Sequence, residues 1–187
     1  MISITLRQLR SIALLASLLG LLASGCNANR QDPQVLAIRE QYVSATEPAG
    51  AVTLSELAQR LGGNTADAAD EDAAGAETAA VVVGRIYAGD LEPWDAGKAS
   101  FLLAELPAEG HGEGHDADNC PFCKRRAAQA PTAIVQFLDD RGQIIAHDAR
   151  QLFGLNKNDV VTVSGQAARG ELNTLVLTAD ALHVHRQ

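Results

Sequence analysis

Aromatic residues are scarce in this chain, with one Trp, two Tyr and four Phe in 187 residues. A surface that stacks the bases of a single strand needs several rings beside a basic groove, so nucleic acid is not an expected partner. Positive charge is scarce too. Fifteen Lys and Arg face 23 Asp and Glu, whereas a polyanion binder carries a basic stripe. The one basic run, Lys124-Arg125-Arg126, reads as a solvated loop. No apolar run reaches the roughly 20 residues that a bilayer span requires. The cysteine pair is followed by Lys124 rather than histidine, which excludes the C-x-x-C-H attachment of a c-type haem. His147-Asp148 has no serine or cysteine nucleophile near it in a strained turn, so no catalytic set is visible and an enzyme is not the expectation.

What is present begins with an address. Arg7 and Arg10 precede an apolar run from Ile12 to Ala23, which meets the small residues Ala23, Ser24 and Gly25 before Cys26. A basic start, a short apolar core and a small-residue cleavage site make residues 1–25 a signal peptide. The small-small-Cys ending resembles the cleavage box of bacterial lipoproteins. That resemblance implies cleavage before Cys26, acylation of its thiol (palmitate or a similar chain) and of the new amino terminus, and attachment to the membrane by several chains. Asn27, where an aspartate would imply retention in the inner membrane, points to the outer membrane. Loss of Arg7 and Arg10 leaves 13 of the 15 basic residues against all 23 acidic ones, so the mature chain is the more acidic form.

Residues 26–63 then read as anchor, tether and two short helices. Val35, Leu36, Ile38, Tyr42 and Val43 approximate a helical stripe. In TLSELAQRLGG, Thr53 and Glu56 have capping-box spacing, Leu54, Leu57 and Leu61 recur helically, and Gly62-Gly63 end the run. Packing on the chain's own domain accounts for such a face. Residues 64–79 are small and acidic, with no apolar stripe to bury, and read as a flexible linker and solubilising spacer.

From residue 80 onward the signals are those of strands. VVVGRIYAG and KASFLLAEL flank the turn-rich DLEPWDAG, and TAIVQFLDD is closed by DDRG and extended by QIIAHD. DARQLFGLN reads as a short helix with Asp148 as N-cap and Gly154 as its stop. NDVVTVSGQA and NTLVLTADALHV, joined across ARGE, complete five strands. The predicted fold is mainly β: a five-stranded OB-like Greek-key barrel with a short helix between strands 3 and 4. Gly84 and Gly165 fall inside strands 1 and 4, where a small barrel coils sharply.

Val81 to Gly84, Phe137 to Gly142 with Ile144, and Asp159 to Gly165 resemble the corresponding segments of OB-fold proteins of the bacterial cell envelope. Pro93, Trp94, Gly97, Ala99, Phe101 and Leu103, followed by a cysteine-containing loop, are similar to a pattern in bacterial lipoproteins. Neither resemblance carries an activity with it.

The segment 107–131 is far longer than an ordinary hairpin connection of two to five residues, and it contains His111, His115, Cys120 and Cys123. Three readings stand open. Outside the cytoplasm Cys120 and Cys123 can close a disulfide that staples the loop. The two imidazoles and two thiolates form an N2S2 set suited to Zn, or to Cu(I), with Asp116 and Asp118 behind them. CPFC also looks like a glutaredoxin-type tetrapeptide, though such a site needs Cys120 at a helix N-terminus after a strand, and the chain has no proline beyond Pro131 to face it. No cofactor is assigned with certainty.

His183 and His185 share one face of the last strand, a plain strand end or an accessory metal position. Trp94, Tyr87 and Phe101 could line the face that OB barrels use for ligands. The resulting expectation is a lipid-anchored, extracytoplasmic OB-like binding or adaptor protein for a protein or small-molecule ligand. The alternatives are an envelope metal-binding or thiol-disulfide protein working through the Cys120/Cys123 loop, and a nucleic-acid or oligosaccharide binder.

Overall fold

The apolar and β-branched runs form the strands, whose inward residues are buried in the core. The computed structural model describes residues 32–62, 77–107, 120–171 and 174–186. Two helices come first, α1 (Pro33–Tyr42) and α2 (Leu54–Gly62), then β1 (Thr78–Ile86), β2 (Ser100–Ala104), α3 (Pro121–Gln129), β3 (Thr132–Gln136), α4 (Ala149–Phe153), β4 (Val160–Arg169) and β5 (Leu175–His185). The strands close into a barrel in the order β1-β2-β3-β5-β4 and back to β1. All pairs are antiparallel except β3 with β5. This is the predicted five-stranded barrel, with α4 as the expected short helix between strands 3 and 4. Strand β1 starts at Thr78, two residues earlier than expected.

Closure depends on β1 changing partners. Thr78 to Arg85 run beside Ala167 to Val160 of β4, and only Arg85 and Ile86 pair with Ala104 and Leu103 of β2. At the crossing, a side chain on Gly84 would lie 2.7 Å from Leu103 Cγ and 2.8 Å from the Ala104 carbonyl oxygen. At the β4 irregularity between Ser164 and Gly165, a side chain on Gly165 would strike the Thr178 carbonyl. Both glycines serve the sharp coiling assigned to them, because β5 and β2 approach too closely for a Cβ.

The interior is filled by Val82, Ile86, Phe101, Leu103, Val135, Phe137, Val161, Val163, Leu177 and Leu182, each at most 1% exposed. Leu152 and Phe153 of α4 join them. Asp148 caps α4 as predicted, its Oδ1 accepting from the Arg150 N–H at 3.0 Å.

The N-terminal helices are part of the same unit, which covers residues 34–187. Thr53 and Glu56 close the capping box, with Glu56 N–H on Thr53 Oγ1 and Thr53 N–H on Glu56 Oε2, both at 3.1 Å. That fixes α2 so that Leu54 and Leu57 are fully buried with the barrel core. Between the helices, the chain pairs with the barrel twice. Ser44 N–H donates to Leu182 O at 2.8 Å, and Val52 brackets Val81 and Val83 of β1 with bonds of 2.9 and 3.0 Å. Tyr42 reaches inward, its ring 5.2 Å edge-on to Phe137 and its hydroxyl donating to Leu138 O at 2.6 Å.

Residues 1–25, expected to be a signal peptide, the expected lipidation site Cys26, most of the segment 64–79 read as a linker, and His111 and His115 lie outside the described residues. Among the described residues no helix is long and apolar enough to cross a membrane.

Candidate functional site

The segment between β2 and β3 is not wholly loop. Residues 121–129 form α3, whose nine residues PFCKRRAAQ include no buried side chain among those described. The local reason is legible afterwards: proline is favoured at the first helical position, where its missing N–H is no loss, and Lys, Arg, Ala and Gln are strong helix formers. The helix places Cys120 immediately before its first residue and Cys123 in its first turn.

No disulfide joins Cys120 to Cys123, and each is partly exposed. The Cys123 N–H donates to the Cys120 sulfur, as do the Cys123 thiol and the Phe122 N–H; together they hold the Cys120 thiol below its ordinary value, against the opposing pull of partial desolvation. Two of these donors are among the amides that a helix start leaves without an intrahelical partner. The thiolate is the form that attacks disulfides and ligates soft metals, so Cys120 is prepared for either. Phe122 between them is 78% exposed, so the segment carrying the thiols is not folded into the core.

No known protein family and no curated protein matches this chain.

The aromatic residues expected on a ligand face are otherwise engaged. Phe101 is 1% exposed and belongs to the barrel core, because β2 directs it inward with Leu103. Trp94 bridges back to Phe101 and packs edge-on against its ring at 6.1 Å, with the Arg150 guanidinium 5.7 Å from its own ring. Tyr87 lies under the Arg85 guanidinium at 4.2 Å, and the Lys157 ammonium, 5.8 Å from the same ring, donates to Gly89 O and Leu91 O. These contacts knit the β1–β2 connection to the barrel, with Tyr87 and Trp94 half-buried.

His183 and His185 do share a face, with ring centroids 5.1 Å apart, and they meet the segment that follows α1. His183 Nδ1 donates to Ser44 O at 3.0 Å. The fully buried Thr162 hydroxyl donates to Glu47 Oε1 at 3.0 Å, and since it has a single proton to give, His185 Nε2–H donates to it at 2.8 Å. This network holds residues 44–47 against β4 and β5. Sequence reasoning missed it because Ser44 and Glu47 lie over 100 positions from their partners His183 and Thr162. Among the described residues no group of three or more His, Cys, Asp or Glu is arranged to hold a metal ion.

Proposed function

We propose that the chain is a lipid-anchored, extracytoplasmic OB-type binding and adaptor protein whose working element is the β2–β3 insertion and whose ligand-reactive groups are the thiols of Cys120 and Cys123. The observation that carries this reading is the pair of partly exposed cysteines at the start of α3, Cys120 immediately before its first residue and Cys123 in its first turn. A barrel filled with side chains supports a scaffold role, since it leaves the chemistry to what it displays. The anchor rests on Arg7, Arg10, the apolar run and the small residues before Cys26. Attachment to the outer membrane follows from Asn27 on the same reading.

The test is thiol titration of the full chain isolated from membranes without chelator, reduced and freed of reductant anaerobically, before and after denaturation, with elemental analysis alongside. Two thiols reactive in the folded state are expected, Cys26 being acylated. Thiols that become reactive only on denaturation, with no metal bound, would overturn the reading. One equivalent of zinc or copper with both thiols masked would keep the insertion as the working element and make its ligand a metal, with His111 and His115 as the added donors.

A further inference from the structure

Among the described residues, two large apolar side chains stand far more exposed than any other, Leu91 at 74% and Phe122 at 78%. Their charged neighbours are opposite in sign. Asp90 and Glu92, both exposed, flank Leu91 on the β1–β2 connection. Helix α3, by contrast, carries Phe122 with Lys124, Arg125 and Arg126 and has no acid among its nine residues. The leucine sits on a braced backbone. Its N–H donates to Ala88 O at 3.1 Å, and Lys157 Nζ donates to Gly89 O at 3.0 Å and to Leu91 O at 3.1 Å. A side chain presented by a held backbone loses little freedom when a partner covers it. The two features also lie at opposite ends of β2. The Leu91 tip precedes Ser100, where the strand starts, and α3 lies between Ala104 and Thr132, which pair with each other at its far end. One chain therefore offers an acidic apolar tip at one end of the strand and a basic apolar helix at the other.

We infer that the partner of both features is a second copy of this chain, the Asp90–Leu91–Glu92 tip of one copy docking on the Phe122–Arg126 turn of the next. This goes beyond the thiol reading above and uses none of its chemistry. Acids then meet bases and an exposed leucine meets an exposed phenylalanine, an arrangement in which complementary charge sets the register and apolar contact excludes water. An anionic bilayer would account for α3 alone and leave the acidic tip uncovered; a second copy accounts for both. Because two different patches meet, the contact is head-to-tail, and a copy engaged at its tip still offers its helix to another. The patches are small and each chain carries a formal net charge of −8, so the contact is weak in free solution. On the lipid-anchored reading, confinement of the copies to one surface raises their effective concentration and compensates for that weakness.

The experiment uses the chain as isolated from cells in non-ionic detergent, half of it labelled with heavy nitrogen, treated at high concentration with a zero-length carbodiimide that joins touching carboxylates and amines. A product linking Asp90 to Lys124, one peptide heavy and the other light, is expected. Glu92→Lys reverses charge at the tip, and Arg125→Glu with Arg126→Glu reverses the helix, while Asp90 and Lys124 stay in place as reporters. Either change alone should lower the mixed-label product about tenfold, because like charges then face each other across the contact. Combining the two variants in equal amounts should restore it several-fold, since each reversed patch meets its complement. Matching unfolding midpoints would show that the variants fold as the parent does, and Arg125→Glu alone, at an exposed position, serves if the double helix variant does not. No mixed-label product in the parent, equal yields in the reversed variants, or no recovery in the mixture would overturn the inference. So would a helix reversal that abolishes binding to phosphatidylglycerol vesicles while the tip reversal leaves the product unchanged, which would make α3 a membrane contact. Thiols inert in the folded chain would remove the thiol reading and leave the copy-to-copy product as it is.

Discussion

The barrel and the β2–β3 insertion solve opposite problems with the same chain. In the barrel nearly every inward residue is buried among its own kind, and even the threonine at its wall, Thr162, has its hydroxyl engaged on both sides. In the insertion, α3 shows no buried side chain among those described, and the large apolar Phe122 stands 78% exposed. The first arrangement derives stability from exclusion of water. The second leaves two sulfurs accessible, and a reactive cysteine needs a polar, donor-rich and partly exposed setting that a core does not provide. Stability and reactivity are thereby placed in different residues, so each can be changed with little effect on the other.

That separation can be broken from the barrel side first. Phe137 touches Tyr42, Phe101 and Phe153 and is fully buried, so Phe137→Ala should cost about 3–5 kcal/mol in chemical denaturation. Leu57→Ala removes a buried contact from α2 rather than from a strand. Its expected cost, about 2–4 kcal/mol, would establish that the N-terminal helices share the barrel's cooperative unfolding. A separate early transition, with the main one unmoved, would refute the single unit.

Smaller effects sharpen the contrast. Asp148→Ala should cost about 1 kcal/mol through the lost cap of α4. Asp148 is held below the usual carboxylate range first by the Arg150 side chain and then by the Arg150 N–H, and Asp139 by the Gln143 and Arg141 amides. Because these pKa values are lower folded than unfolded, their stabilisation is complete above roughly pH 4 and is lost as pH falls through the depressed values. A melting series from pH 7 downward should therefore be flatter for Asp148→Ala in that acid window.

At the other extreme, Cys123→Ala should leave barrel stability within about 0.5 kcal/mol, as expected for a partly exposed position outside the core. Its readout is chemical. Cys120 alkylation in the parent should reach half its maximal rate below the ordinary thiol value of about 8.5, and loss of the Cys123 thiol donor should move that midpoint upward. An unchanged midpoint would mean that the neighbouring sulfur contributes nothing at Cys120.

The strands were readable because β-branched, apolar runs bounded by turn residues are signals that need only local sequence, and the glycines at 84 and 165 were readable because crowding leaves no substitute. The Thr53–Glu56 box and the Asp148 cap were legible for the same local reason. Helix α3 was not, since Pro121 serves a helix start and a turn equally well and an unburied helix carries no apolar stripe. Of the three rings expected on a ligand face, Phe101 faces the core, because a ring near a hairpin can face either side, while Tyr87 and Trp94 are half-buried at the wall.

The residues alone determined the strand order in the chain, the capped ends of α2 and α4, and the presence of a cysteine pair, because these depend on neighbours within a few positions. Only the tertiary structure decided that β3 and β5 run parallel, that Tyr42, Leu54 and Leu57 complete the core, and that Glu47 reaches the Thr162–His185 pair. Those contacts join residues far apart in the chain, and their free energy arises from water excluded between surfaces that meet only once the barrel has closed.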